Sequence, residues 1–239
     1  MQNQFNWTQG HVLIACLFML ACESTEVSQT WNQAQLGTQE QAIRNGTREP
    51  QILPLSGAQK MAVGWLHPRG RVDANFCTAT LVAPRVVATA KHCTDSQRGG
   101  IAFGVGLLPS NPAGSFNVMA VHPHPTLDAS ILILEDDATQ AGIEIRPIPF
   151  NRTRLDSNIE GREVEAAGYG ETYDRTRSGR YFAVVELRDV RNSEIIVDGR
   201  GQQGICFGDS GGPVMTENAN GQVVVLAVES WGDPSCFGI

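Results

Sequence analysis

The segment Gly208-Asp209-Ser210-Gly211-Gly212 sets a serine among residues small enough to let a substrate backbone come close. A serine hydroxyl is a poor nucleophile at neutral pH. An imidazole, titrating at about pH 6.5, can take its proton and later return it to a leaving group. The chain offers five histidines for that task, His11, His67, His92, His122 and His124, and all of them precede Ser210. The chemistry suggested is therefore nucleophilic catalysis by serine with a histidine base supplied from earlier in the chain.

Chain order narrows the choice. The serine segment also matches G-x-S-x-G, the elbow of α/β-hydrolases, but there the acid and the histidine follow the serine, and no histidine follows Ser210. An order of Asp, His, Ser could be written with Asp73 and His92, yet that arrangement belongs to helical α/β chains, and no helical period is present. The order His, Asp, Ser remains, which is that of the chymotrypsin-type barrels. Four blocks stand in matching sequence: Phe76-Cys77-Thr78-Ala79-Thr80-Leu81-Val82, Thr89-Ala90-Lys91-His92-Cys93, Gly204-Ile205-Cys206-Phe207-Gly208-Asp209-Ser210-Gly211-Gly212-Pro213 and Ser230-Trp231-Gly232. From about residue 43 to its end the chain resembles the chymotrypsin/trypsin-like serine protease family.

The resemblance implies a role for each residue. His92 would be the general base and Ser210 the nucleophile, with Asp128 orienting the imidazole. The segment His122-Pro123-His124-Pro125-Thr126-Leu127-Asp128-Ala129-Ser130 is similar to the family's pattern, with Ala-Ser after the aspartate where the family usually has Ile-Ala or Leu-Ala. Asp136 and Asp137 follow the strand and read as solvated turn residues. His67 and His122 read as loop residues, and His122 with His124 as a strand end rather than a metal site. The N–H groups of Gly208 and Ser210 would form the oxyanion hole, where losing one donor costs on the order of 10²–10³ in turnover. Ser230 would hydrogen-bond Asp128, and Trp231 and Gly232 would line a groove that takes the substrate as an added strand. Gly204 stands where trypsin-like members carry an aspartate at the base of the specificity pocket, so no charge awaits a Lys or Arg. Ile205 beside it should narrow an apolar pocket for a small or medium residue. Cys77–Cys93 and Cys206–Cys236 match family bridges, and the first, closing the loop that holds His92, would be worth roughly 3 kcal/mol. The family is activated by cleavage, and Ile43-Arg44-Asn45-Gly46-Thr47 resembles the new N-terminus, whose ammonium would pair with Asp209. Arg44 departs from the usual apolar residue, and Ala42 before the cut argues against a tryptic activator. Neither cofactor nor metal is expected.

Positioning these residues requires a core. The chain has 239 residues, 41% hydrophobic and 18% charged, enough for one or two domains. Short β-branched runs at 61–66, 80–82, 86–90, 101–105, 130–134, 163–167, 182–187 and 223–228 are mostly separated by Gly, Pro, Asn or Asp. This is an all-β pattern, and with the resemblance it implies two six-stranded Greek-key β-barrels of chymotrypsin type. One would span residues 43–150 and the other 151–239, joined through the Pro-containing stretch 140–158. The family usually continues well beyond the cysteine matching Cys236, so the second barrel is expected to be incomplete. A protease-like binding or vestigial protein is accordingly the competing function.

Residues 1–42 contain no Lys or Arg, whereas the remainder holds all 18. The apolar run 12–21 is too short to cross a bilayer, which takes roughly 20 residues in a helix, and fits an export signal over residues 1–22. Its end, Met19-Leu20-Ala21-Cys22, resembles a lipoprotein signal with Cys22 as the lipidation site. Residues 23–42, rich in Gln, Ser and Thr, read as a flexible pro-segment or tether. The product is expected in the cell envelope, as an outer-membrane lipoprotein, or outside the cell. Four cysteines behind an export signal suit an oxidising compartment. A net charge of −7 with scattered arginines argues against a nucleic-acid partner. The expected partners are a polypeptide substrate, an activating protease and, through Cys22, a membrane; the protein itself is expected to be monomeric.

Overall fold

A computed structural model describes residues 43–95, 99–171, 179–232 and 236. Six strands, β1 (Val63–Pro68), β2 (Cys77–Ala83), β3 (Val86–Thr89), β4 (Ile101–Val105), β5 (Gly114–Pro123) and β6 (Ser130–Leu134), close into an antiparallel barrel in the order β1-β2-β3-β6-β5-β4. The jump from β3 to β6 is the Greek-key step. Five more, β7 (Glu163–Gly168), β8 (Tyr181–Val190), β9 (Ile195–Asp198), β10 (Pro213–Glu217) and β11 (Val223–Val228), form an open sheet in the order β11-β10-β7-β8-β9. The closed barrel and the curled sheet bear out the all-β, double-barrel reading, with the second barrel open among the described residues.

Burial explains the strands. β2 is buried on both faces for six of its seven residues, so it reads as an apolar run, whereas β6 alternates in the way of a half-buried strand. β5 was absent from the expected strands although Phe116 and Val118 alternate with exposed Asn117 and Met119. β9 and β10 were also absent: four and five residues long, one is half-buried throughout and the other begins with proline.

The barrel and the sheet share one core. Trp65 of β1 packs on Tyr169, just after β7, with ring centroids 5.0 Å apart. The Tyr169 hydroxyl donates to the Gly106 carbonyl, with the Val63 carbonyl also near it at 3.1 Å, and burial pushes that phenol up to about 12. The segment between β6 and β7 touches both halves: Ile148 N–H donates to the Leu81 carbonyl at 3.0 Å and Asn151 N–H to the Val225 carbonyl at 2.8 Å. The reading of His67 as a loop residue is corrected. It lies within β1, 1% exposed, with Nδ1 donating to the Pro68 carbonyl and Nε2 accepting from Ser115 Oγ. Burial lowers its pKa against weaker raising effects from Pro68 and Asp73, so it is a neutral core histidine.

Candidate active site

Strand register brings His92 and Asp128 together. β3 pairs with β6 with Thr89 opposite Ser130. His92 follows Thr89 by three residues and Asp128 precedes Ser130 by two, so both emerge at the same end of adjacent strands. The His92 ring Nδ1 lies 2.7 Å from Asp128 Oδ2, and the His92 backbone N–H donates to Oδ1 at 2.9 Å. A carboxylate only accepts, so Nδ1 carries the proton and Nε2 keeps its lone pair. Ser230 Oγ donates to the same Oδ2 at 2.5 Å. Burial raises the Asp128 pKa, but the hydrogen bonds from Ser230 and His92 outweigh it and hold the carboxyl below its ordinary value. The pair is partly exposed, with the His92 side chain 47% and that of Asp128 34% exposed. Asp137 instead caps a single 3₁₀ turn by accepting from Thr139 N–H.

The serine loop is clamped between the two halves. Thr78 of β2 donates its N–H to the Ser210 carbonyl at 2.9 Å and its hydroxyl to the Gly208 carbonyl at 3.0 Å, while that hydroxyl accepts from Tyr169 N–H at 2.9 Å. Gly208 and Gly211 have φ of +93° and +85°, in the region that favours glycine. A Cβ at Gly211 would also collide with Thr89 Oγ1 and the Thr78 carbonyl. Among the described residues the N–H groups of Gly208 and Ser210 donate to nothing, which leaves both available to an oxyanion. Cys93 Sγ lies 3.6 Å from the Ser210 carbonyl, placing the serine beside the histidine segment. No hydrogen bond joins Ser210 Oγ to His92 among the described residues; such contacts often tighten only with substrate bound.

Cys77–Cys93 and Cys206–Cys236 are both formed. Cys77, His92 and Cys93 cluster, but the two sulfurs are committed to each other and offer no thiolate to a metal. Asp209 is buried, with its oxygens accepting from Gly170 N–H and Cys206 N–H, each at 2.8 Å. Ile43 is 0% exposed, packed with apolar residues of β7, β8 and β10. Arg44 bridges to Gly204, whose N–H donates to the Arg44 carbonyl at 3.0 Å. The segment after Ile43 is thus stitched to the floor of the candidate specificity pocket. Gly204, Ile205, Ser230, Trp231 and Gly232 all line a cleft of about 810 Å³, whose wall includes Asp128. A second cavity of about 270 Å³ is lined by Ser210, Ile205 and Glu229 among others. Cys22 and Ala42 lie outside the described residues.

The trypsin family model matches residues 56–238, well over half of the chain. The chain belongs to the trypsin family. Relatives include phenoloxidase-activating enzyme 1 of Spodoptera litura, 27% identical over 84% of this chain and 63% of that protein. Trypsin 5G1 of Aedes aegypti is 25% identical over 67% of this chain and 66% of its own length. Glucanase inhibitor protein 1 of Phytophthora sojae is 26% identical over 74% and 76%. The chain thus spans slightly less than two thirds of the first two of these relatives.

Two residues beside the site carry little mark of it in the sequence. Thr78 stands inside the block Phe76–Val82, and nothing in its surroundings marks it as the clamp. Glu229 carried a signal that went unused, a charged residue directly following the wholly apolar run of β11.

Proposed function

We propose that this trypsin-family chain is a serine endopeptidase acting through an acyl-enzyme, with His92, Asp128 and Ser210 as its catalytic residues. The observation that carries the reading is the Ser230–Asp128–His92 hydrogen-bonded chain beside a serine loop with two N–H groups unengaged among the described residues. His92 Nε2 takes the Ser210 proton as Oγ attacks the scissile carbonyl. The developing oxyanion is held by Gly208 and Ser210 N–H. The imidazolium, stabilised by Asp128, then protonates the leaving amine, and water repeats the cycle on the ester. Trp231 and Gly232 hold the substrate strand.

Gly204 leaves the pocket floor without a carboxylate, and Ile205, Leu226 and Val228 add apolar side chains to a lining that also includes Glu194, so a small or medium apolar residue should precede the scissile bond. Activation by cleavage before Ile43 fits the backbone there. A β-branched residue at φ +49° is strained by about 1–2 kcal/mol, and cutting the preceding peptide bond removes the constraint. The ammonium so freed would pair with Asp209. Residues 1–22 would direct export, with Cys22 lipidated, and residues 23–42 would link that anchor to the barrels at 43–150 and 151–239. The same cut would then release a monomeric enzyme; Ile43 exposed as N-terminus only on lipid-bearing protein would contradict that release.

The test is hydrolysis of a denatured protein by the form beginning at Ile43, abolished by S210A. A folded, inactive protein would overturn the enzyme reading. It would leave the binding role, which a relative named as an inhibitor favours.

A further inference from the structure

Glu229 lies between β11 and Ser230, and its backbone is tied on both sides to the serine loop. Gly211 N–H donates to the Glu229 carbonyl at 2.6 Å, and Glu229 N–H to the Gly212 carbonyl at 2.8 Å. Its side chain turns inward under that loop: a Cβ on Gly212 would lie 3.2 Å from Glu229 Oε2. The residue is 6% exposed, and among the described residues neither carboxyl oxygen finds a hydrogen-bond partner of good geometry. A buried, unpartnered carboxylate is very costly, so the group is expected to be neutral.

We propose, resting on the endopeptidase reading, that Glu229 is a positioning residue: as a neutral carboxyl it supports the 208–212 loop from beneath, and its ionisation loosens the oxyanion donors. The charges around it agree. Asp209, in the loop, is the neighbouring carboxyl that acts on it. On the β7 side, Glu165 directs its oxygens to the backbone N–H groups of Gln51, Ile52 and Leu53. Beyond Ser230, Asp128 is held by His92 and Ser230. In the mature form the Ile43 ammonium proposed to pair with Asp209 would be the cation nearest to this group of carboxyls. Burial first, and then Asp209, pushes the Glu229 carboxyl well above its ordinary range, against a weaker opposite effect of the Ala167 backbone. The neutral form is therefore favoured in the folded protein. The support it gives is complete below the ordinary glutamate range and is lost as pH rises through the raised value.

The experiment compares kcat/KM against pH for the mature enzyme, E229Q and E229L, with circular dichroism confirming each fold. The expected result is an alkaline loss of at least tenfold in the parent that begins at lower pH than in both neutral variants, where only loss of the Ile43 ammonium remains to act. In the parent, the ¹³C shift of the Glu229 carboxyl should titrate along the same curve, which keeps the proposal testable if neither variant folds. An alkaline limb unchanged in a folded variant, or a carboxyl already ionised where the enzyme is active, overturns it. Fluorophosphonate labelling of Ser210 in the parent separates the two readings: labelling with an unchanged limb defeats the Glu229 proposal alone, and absence of labelling at every pH defeats the enzyme reading.

Discussion

The barrel and the open sheet hold their parts of the candidate site by different means. His92 and Asp128 extend from β3 and β6, whose register is fixed across the pairs from Val86–Ile133 to Thr89–Ser130 inside a barrel with no free edge. Ser210 belongs to no strand. It sits in a loop before β10, shaped by glycines and gripped by Thr78 from one side and Glu229 from the other. Closure fixes His92 and Asp128 through strand geometry, which side-chain changes scarcely alter. Ser210 depends on a few individual hydrogen bonds, so the serine side is where small changes should matter.

The largest effect should come from the barrel side. In D128N, the amide can no longer hold His92 in the tautomer that leaves Nε2 free, and kcat should fall by about 10⁴ with the fold unchanged. A fall below tenfold would mean that Asp128 is not the orienting acid. Next, replacing Cys77 and Cys93 together by alanine should lower unfolding stability by roughly 3 kcal/mol, read from denaturant midpoints. If only activity fell, the bridge would be serving the site and not the barrel.

Thr78→Val tests the joint between the halves. Shape is kept, but the Gly208 carbonyl loses a donor and Tyr169 N–H an acceptor. Leaving those buried groups unpaired should cost about 1–3 kcal/mol of stability. Turnover should fall more than substrate binding, since the loop carries the proposed oxyanion donors. An unchanged kcat would show that the loop is held elsewhere.

The smallest effect is a shift in pH dependence. With its pKa lowered, Asp128 contributes stability above the ordinary carboxylate range, and that contribution is lost as pH falls through the lowered value. Ser230→Ala removes one of the lowering hydrogen bonds, so the acid limbs of stability and of kcat/KM should both begin at higher pH. Limbs that stay in place would show that His92 alone sets the charge of Asp128.

How much of this was legible in the sequence follows the same division. Strands 101–105, 130–134 and 223–228 were read with their observed bounds because apolar runs there stop at polar or turn residues. β9 and β10 escaped because short strands whose burial comes from neighbours carry little periodicity of their own. Around the site, family-like blocks pointed to residues that the fold does bring together, including Ser230 on Asp128. His67 was misplaced because a lone imidazole in an apolar strand looks polar until its partners at Pro68 and Ser115 are known. Thr78 and Glu229 act through backbone contacts across the halves, which residue types alone do not encode.

The central claim is that the loop presents an activated serine to the barrel's histidine. Covalent labelling by a fluorophosphonate, mapped by peptide mass spectrometry on the form beginning at Ile43, tests it most directly. The account predicts a single modification on Ser210, at least 10³-fold slower in His92→Ala and absent in Ser210→Ala. Labelling that is absent from the folded protein, or that is as fast without His92, would contradict it.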